Sequence, residues 1–311
     1  MDQASRLRML ISEGINSDQG SWGTAQETAS RELRKDLRVI SVTSGKGGVG
    51  KTNVVANLAL ALCRLGKRVL ILDADLGLGN MDVLLGLNPR YTIQHVLSGE
   101  KRLEEVILNV PAGFHLLPAA SGIPELTDLT QSQRMFLLDE FDALQNFFDV
   151  LLIDTGAGIS SNVMYFNFAA MEKVVVITNE PASLTDAYAL IKVLANKYHQ
   201  KKFRILINSA RSDHEAEQIY RHLCLVVDKF LGSLSLDYLG WIPFDENVPK
   251  AVRRQQAVLD LFPLSKSSKK FMEVAERLMS FRDYCDFEGD VKFFWQRLLN
   301  NSQLICPEER V

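Results

Sequence analysis

No stretch of the 311-residue chain approaches the roughly 20 consecutive apolar residues that a membrane-spanning helix requires. The first residues also lack the apolar segment of a secretory signal, which predicts a cytoplasmic protein whose contact with a membrane is peripheral. A formal net charge of −3 provides no general attraction to a polyanion, so we expect no direct contact with nucleic acid. Cysteine is scarce and matches no metal-ligand spacing, which predicts free thiols in a reducing compartment: Cys63, Cys224, Cys285 and Cys306.

The most informative segment is a glycine-rich loop, residues 44–52, between a predicted strand (38–43) and a predicted helix (53–65). The loop fits the spacing G-x-x-x-x-G-K-[ST], in which backbone N–H groups at a helix N-terminus surround phosphate oxygens. Within it, Lys51 is predicted to reach the β- and γ-phosphates, and the Thr52 hydroxyl to ligate Mg²⁺. The alternative is a glycine-rich turn without a ligand. The predicted nucleotide-binding residues are Gly45, Lys46, Gly47, Gly48, Val49, Gly50, Lys51, Thr52 and Asn53.

Three aspartates follow predicted strands. Asp73 and Asp75 come after the strand at 67–72, and Asp154 ends a buried strand at 149–154, as in a Walker B motif. Because ligands bind at the carboxyl ends of strands in doubly wound sheets, these side chains are candidates for the nucleotide site. We expect Asp73 and Asp154 to hold Mg²⁺, in part through water, and Asp75 to orient the attacking water. Ordinary turn or capping roles are the alternative for Asp73 and Asp75.

A second lysine in the loop, Lys46, is unnecessary for binding phosphate within one chain, and crowding it beside Lys51 is costly unless the two share an anion. The segment K-G-G-V-G-K-T at 46–52 resembles the deviant Walker A motif of the MinD/ParA family of P-loop ATPases. This resemblance implies an ATP- and Mg²⁺-dependent homodimer in which Lys46 crosses to the partner's nucleotide, so that Lys46, Lys51 and Asp75 are catalytic. It also implies adenine contacts at Asn208 and Pro243, for which turn chemistry is the alternative.

The order of the predicted elements indicates an α/β fold. Strands alternate with helices from residue 37 to 282, which predicts a doubly wound, mainly parallel sheet of the P-loop NTPase type, with helices on both faces. Residues 1–13 are predicted to be a partner-docking peptide, with a disordered end as the alternative, 14–36 a flexible linker and 283–311 a tail. A basic segment, residues 248–256, is interpreted as a solvated helix face.

The tail carries an apolar stripe at helical spacing, and two interpretations stay open. The helix either packs on the chain's own core or lies on a bilayer. Both can hold in turn, with the helix docked on the core without ATP and released in the ATP dimer. The family resemblance favours a membrane-targeting helix. Its predicted membrane-contacting residues are Phe293, Phe294, Trp295, Leu298 and Leu299.

Several further segments resemble one group within the family, the flagellar-number regulators of the FlhG (FleN) type. They are the N-terminal box D-Q-A-S-R-L-R, the run D-A-D-L-G-L-G-N at 73–80, and D-T-G-A-G at 154–158, where MinD proper has proline at position 156. This resemblance implies a slow, partner- or membrane-stimulated ATPase that controls flagellar number at a cell pole, reversibly bound to the inner membrane. The implied partners are an FlhF-like GTPase of the signal-recognition type, contacted by Gln3, Leu7 and Arg8, a FleQ-like transcription activator, and flagellar switch proteins.

Two other functions remain open on the sequence alone. A ParA-type DNA-partitioning ATPase would share the phosphate loop, but it would need a basic surface for DNA. A nucleotide-dependent scaffold without turnover would act through its tethered N-terminal segment. The three aspartates favour turnover over the scaffold.

Overall fold

An eight-stranded sheet organises the part of the chain that the computed structural model describes, namely residues 37–75, 80–118, 130–144, 147–232 and 234–281. Its spatial order is β3-β4-β2-β5-β1-β6-β7-β8, and every neighbouring pair is parallel except β3 with β4. The strands are β1 (Arg38–Ser44), β2 (Val69–Ala74), β3 (Leu108–Asn109), β4 (His115–Leu117), β5 (Val150–Ala157), β6 (Glu172–Ile177), β7 (Lys202–Ala210) and β8 (Ser235–Pro243).

The central strands are apolar on both faces because helices cover both sides of the sheet. Ile40 of β1 and Leu152 of β5 pack into one buried cluster, whereas their neighbours Val39 and Leu151 pack into another on the opposite face. Successive side chains of a strand point to opposite faces, so a strand buried on both sides reads as a continuous apolar run.

The helices divide between the two faces. The first face carries α1 (Lys51–Arg64), α2 (Met81–Leu84), α9 (Asn247–Arg253), α10 (Val258–Leu261) and α11 (Lys266–Ser280). The second face carries α3 (Ile93–Leu97), α4 (Leu103–Val106), α5 (Gln131–Leu144), α6 (Ser161–Ala169), α7 (Pro181–Tyr198) and α8 (Asp213–Leu231).

This architecture confirms the predicted fold class, although the sequence did not predict every element. Helix α6 lacks an amphipathic pattern because it is buried on several sides, with Val163, Met164, Tyr165 and Phe166 all inaccessible. Strand β3 has only two residues, which is too short for a periodic signal. No helix in the described ranges has the length and apolarity needed to cross a bilayer.

Cys285 and Cys306 lie outside the described ranges, and so do two predicted binding segments. The docking peptide with Gln3, Leu7 and Arg8 is one of them. The membrane-targeting helix of the tail, with the five residues named above, is the other. Their roles, like the proposed division into segments, stay predictions.

Candidate nucleotide-binding site

The predicted site residues lie at the carboxyl edge of the sheet. The phosphate loop follows β1, which lies between β5 and β6. Asp73 is the last residue but one of β2, and Asp154 lies inside β5, three residues before its end at Ala157, so both strands run past the ends predicted from the sequence, residues 72 and 154. Asn208 and Pro243 lie near the ends of β7 and β8. Parallel strands end at the same edge, so residues distant in sequence meet there.

Two glycines of the phosphate loop are required by close packing. A Cβ atom on Gly45 would lie 2.1 Å from the carbonyl carbon of Asp186 in α7, so the loop rests directly on the backbone of that helix. Gly50 has a left-handed φ of 83°, and a Cβ atom there would lie 2.6 Å from Nδ2 of Asn208. The loop is thus held between α7 and the end of β7.

Asn208 supports the loop from behind. Its Nδ2 donates a hydrogen bond of 2.7 Å to the carbonyl oxygen of Val49, a contact that sequence reasoning did not predict. Pro243 lies beside Ala210 in the β7–β8 pair, and the Phe244 N–H donates to the Ala210 carbonyl. The predicted adenine contacts of Asn208 and Pro243 stay predictions.

Lys51 starts α1 and is almost fully buried, with 7% of its side chain exposed. Its ammonium lies 2.6 Å from Oδ1 of Asp154, so the phosphate-loop lysine pairs with the Walker B carboxylate. The side chain of Thr52 also hydrogen-bonds to Asp154. Nucleotide binding at this loop would therefore exchange one anionic partner of Lys51 for another.

The two buried carboxylates lie side by side. Asp73 and Asp154 are directly paired in the β2–β5 register. Burial, together with the charge of Asp154, raises the pKa of Asp73 to about 7, although Asp73 accepts hydrogen bonds from the backbone N–H groups of Asp75 and Met81. Burial also raises the pKa of Asp154, and the Lys51 ammonium opposes that shift. The site is therefore short of positive charge.

Magnesium suits this donor set. Asp73, Asp154 and Thr52 supply carboxylate and hydroxyl oxygens, the ligand types that Mg²⁺ prefers. In the described ranges no group of three His, Cys, Asp or Glu side chains is placed to hold a metal alone. Mg²⁺ usually takes one or two protein carboxylates and completes its shell with phosphate oxygens and water.

In the presence of magnesium, the affinity of the protein for a non-hydrolysable ATP analogue is expected to rise about tenfold between about pH 6 and pH 8. The raised pKa of Asp73 leaves this carboxyl group protonated at the lower pH. The cation binds the ionised carboxylate, so binding releases a proton and higher pH favours it. Calorimetric titration with the analogue measures this affinity at each pH. The same titration in EDTA, without free magnesium, is the control. An equal rise in EDTA, or no rise with magnesium, would contradict the role of Asp73.

A cavity of about 680 Å³ opens in front of the loop. Its walls bring together most of the predicted residues, from Lys46 to Asn53, together with Asp75. Asp75 also lies beside Gly156, where an added Cβ atom would be 3.4 Å from the Asp75 carboxylate. Residues that the sequence did not single out complete the wall: Ser44, Asn80, Val83, Leu84, Ala157 and Val252.

Lys46 lines this cavity, and 38% of its side chain is exposed. Its ammonium forms an ion pair with Glu180, which directly precedes α7. The Ser44 hydroxyl donates a hydrogen bond of 2.9 Å to the Lys46 carbonyl oxygen and so fixes the backbone there. Unlike Lys51, Lys46 therefore faces outward.

Comparisons with known proteins agree with this geometry. The family described as AAA domain matches residues 37–207. The antiactivator FleN of Pseudomonas aeruginosa is 46% identical over 85% of this chain and 94% of its own length. The flagellum site-determining protein YlxH of Helicobacter pylori is 33% identical over 85% of this chain and 90% of its own length.

Solved structures agree as well. MinD from Pyrococcus horikoshii, complexed with Mg-ADP, has a TM-score of 0.61 at 26% identity, covering 78% of this chain and 96% of its own. The MinC:MinD complex of Aquifex aeolicus has a TM-score of 0.62 at 27% identity, covering 81% of this chain and 99% of its own. With its phosphate loop, paired aspartates and outward lysine, the chain belongs to the MinD/ParA family of P-loop ATPases and is a FlhG-like member of it.

Proposed function

We propose that this protein is an ATP-driven switch, monomeric without ATP and dimeric with it, that binds the inner membrane as a dimer and limits flagellar number. The observation that carries the proposal is the exposure of Lys46. Its side chain lines the phosphate cavity and is 38% exposed, which leaves it accessible to a second copy, whereas Lys51 is buried and paired with Asp154.

The residues of the site have distinct roles in this switch. With nucleotide bound, Lys51 would exchange Asp154 for the phosphates. Asp154, Asp73 and Thr52 would hold the magnesium, which would neutralise phosphate charge. Lys46 turns to the nucleotide of the other subunit and closes the dimer. Asp75, in the wall of the same cavity, orients water for hydrolysis.

The return of the switch depends on the segment after β5. The Gly158 N–H donates a hydrogen bond to the Ser44 carbonyl oxygen, and Gly158 adopts a left-handed φ of 89°. We propose that this segment moves toward the γ-phosphate in the ATP state and returns after its loss, which reopens the dimer.

The biological role is inferred from the relatives. One is named an antiactivator and another a flagellum site-determining protein, which supports a regulator of flagellar gene activation and placement. The proposed partners are a FleQ-like activator, an FlhF-like GTPase and flagellar switch proteins, and the proposed location is the cytoplasm and the inner membrane at a cell pole. Membrane binding by the tail helix is proposed from the apolar stripe of the tail and from the sequence resemblance to the MinD/ParA family.

Full-length protein is expected to sediment with anionic liposomes at least about tenfold better in ATP than in ADP, because a dimer carries two weak membrane helices. A truncation ending at residue 289 is expected to stay in solution with either nucleotide. Lys46→Ala in the full chain serves as the matched control, since it keeps the tail but removes the proposed dimer contact. Equal sedimentation in ADP and ATP would contradict the switch.

Two measurements address the other functions. DNA retention that grows with ATP and falls steeply with salt would favour a partitioning ATPase. Absence of phosphate release, with and without lipid, would favour a scaffold.

A further inference from the structure

We propose that Glu180 holds the Lys46 ammonium within its own subunit and thereby sets how readily two ATP-loaded copies close on each other. The inference rests on the ATP-dependent dimer proposed above. It identifies Glu180 as a positioning residue that regulates the same site.

The Lys46–Glu180 ion pair competes with the proposed contact between Lys46 and the nucleotide of the other subunit. Lys46 and Glu180 form an ion pair in which 38% and 59% of the side chains are exposed. The backbone of Lys46 is fixed by the Ser44 hydroxyl, so only the side chain has to turn between the two positions. One ammonium cannot be bound closely by Glu180 and also cross to a second subunit, so the ion pair has to break before closure.

The position of Glu180 is fixed from both sides. It directly precedes α7, which contacts the phosphate loop where Asp186 meets Gly45. On its other side, the Asn179 side chain donates a hydrogen bond of 2.5 Å to Glu215 of α8. The Thr178 N–H donates to the Ser183 hydroxyl inside α7. Hydrogen bonds of the neighbouring residues therefore hold the segment that places Glu180 beside Lys46.

The ion pair also joins two cavities. Lys46 lines the nucleotide cavity, whereas Glu180 lines a second cavity of about 620 Å³ between α7 and α8. The second cavity has an apolar wall with Leu184, Tyr188 and Ile219. A substitution at Glu180 therefore removes the partner of Lys46 and leaves the buried Lys51–Asp154 pair unchanged.

Removing the Lys46–Glu180 ion pair is expected to have a moderate effect on one subunit and a larger effect on dimerisation. An exposed ion pair changes an equilibrium by a small factor, here taken as about threefold. A symmetric dimer breaks two such pairs on closing, so removing both is expected to strengthen ATP-dependent dimerisation about tenfold.

The test compares Glu180→Gln with wild type and with Glu217→Gln. The control breaks another exposed ion pair, Glu217 with Arg221 on α8, that does not line either cavity. Sedimentation velocity in ATP measures dimer dissociation. Acetylation of Lys46 in nucleotide-free monomer, followed by mass spectrometry, measures release of the ammonium independently of dimerisation.

Glu180→Gln is expected to lower the dimer dissociation constant about tenfold and to speed Lys46 acetylation about threefold, while Glu217→Gln changes neither. Glu180→Asp, which keeps the charge, is expected to fall between glutamine and wild type. Unchanged acetylation in a protein that still dimerises would overturn the inference alone. Faster acetylation with unchanged dimerisation would overturn the regulatory role. Failure of wild type to dimerise in ATP would instead overturn the proposed function, and this inference with it.

Discussion

Lys46→Ala is expected to abolish the ATP-dependent dimer and to lower ATP turnover by at least about a hundredfold, while the monomer keeps its nucleotide affinity within about threefold. The buried half of the phosphate site explains the retained affinity. Lys51, Thr52 and the backbone of the loop do not depend on the Lys46 side chain, which contacts Glu180 on the outer rim. The loss of dimer follows from two triphosphates facing each other without the cations that neutralise them.

Size-exclusion chromatography with light scattering in ADP and ATP measures the dimer, and a fluorescent nucleotide measures affinity. Lys192→Ala is the matched control, because Lys192 is an exposed lysine of α7 outside the cavity walls. A stable ATP dimer of Lys46→Ala at wild-type concentration would contradict the assigned role.

Asp75→Ala is expected to have the opposite effect on assembly, giving a persistent ATP dimer whose turnover falls about a thousandfold. Its carboxylate lines the cavity beside Gly156, whereas Lys46, Lys51 and Thr52 remain in place to bind and close. The charge of Asp75 also helps to raise the pKa of Asp73, so its removal favours the ionised form of Asp73 and does not weaken magnesium binding.

Single-turnover phosphate release measures the loss of turnover, and liposome sedimentation in ATP measures the persistence of the dimer. Asp228→Ala, an exposed aspartate of α8, is the control. If Asp75→Ala hydrolyses ATP at the wild-type rate, Asp75 does not orient the water. Sedimentation no better than wild type would exclude a trapped dimer.

Local patterns were enough to predict the centre of this fold. Three features are each encoded within a few neighbouring residues: the strand before the phosphate loop, the loop itself and the aspartates in the C-terminal halves of β2 and β5. Their order along the chain, together with the alternation of strands and helices, then led to the parallel sheet, because parallel strands need crossover helices.

Contacts between distant residues were not predictable in the same way. Glu180 is 134 positions from Lys46, and Asn208 is 159 positions from Val49, so no periodicity or motif links either pair. The Gly45 contact with Asp186 depends on how closely α7 packs against the loop. Helix α6 was missed for a related reason, since burial on several sides removes its amphipathic pattern.

The central claim is that each subunit supplies Lys46 to the other subunit's nucleotide, and mixing two inactive variants tests it most directly. Lys46→Ala keeps Asp75 but donates no amine, whereas Asp75→Ala donates Lys46 but cannot position water. A mixed dimer would contain one complete site only if Lys46 acts across the interface. We predict that an equimolar mixture recovers roughly a tenth to a quarter of wild-type ATPase activity, while each variant alone stays inactive. A mixture no more active than the sum of its components would contradict the account.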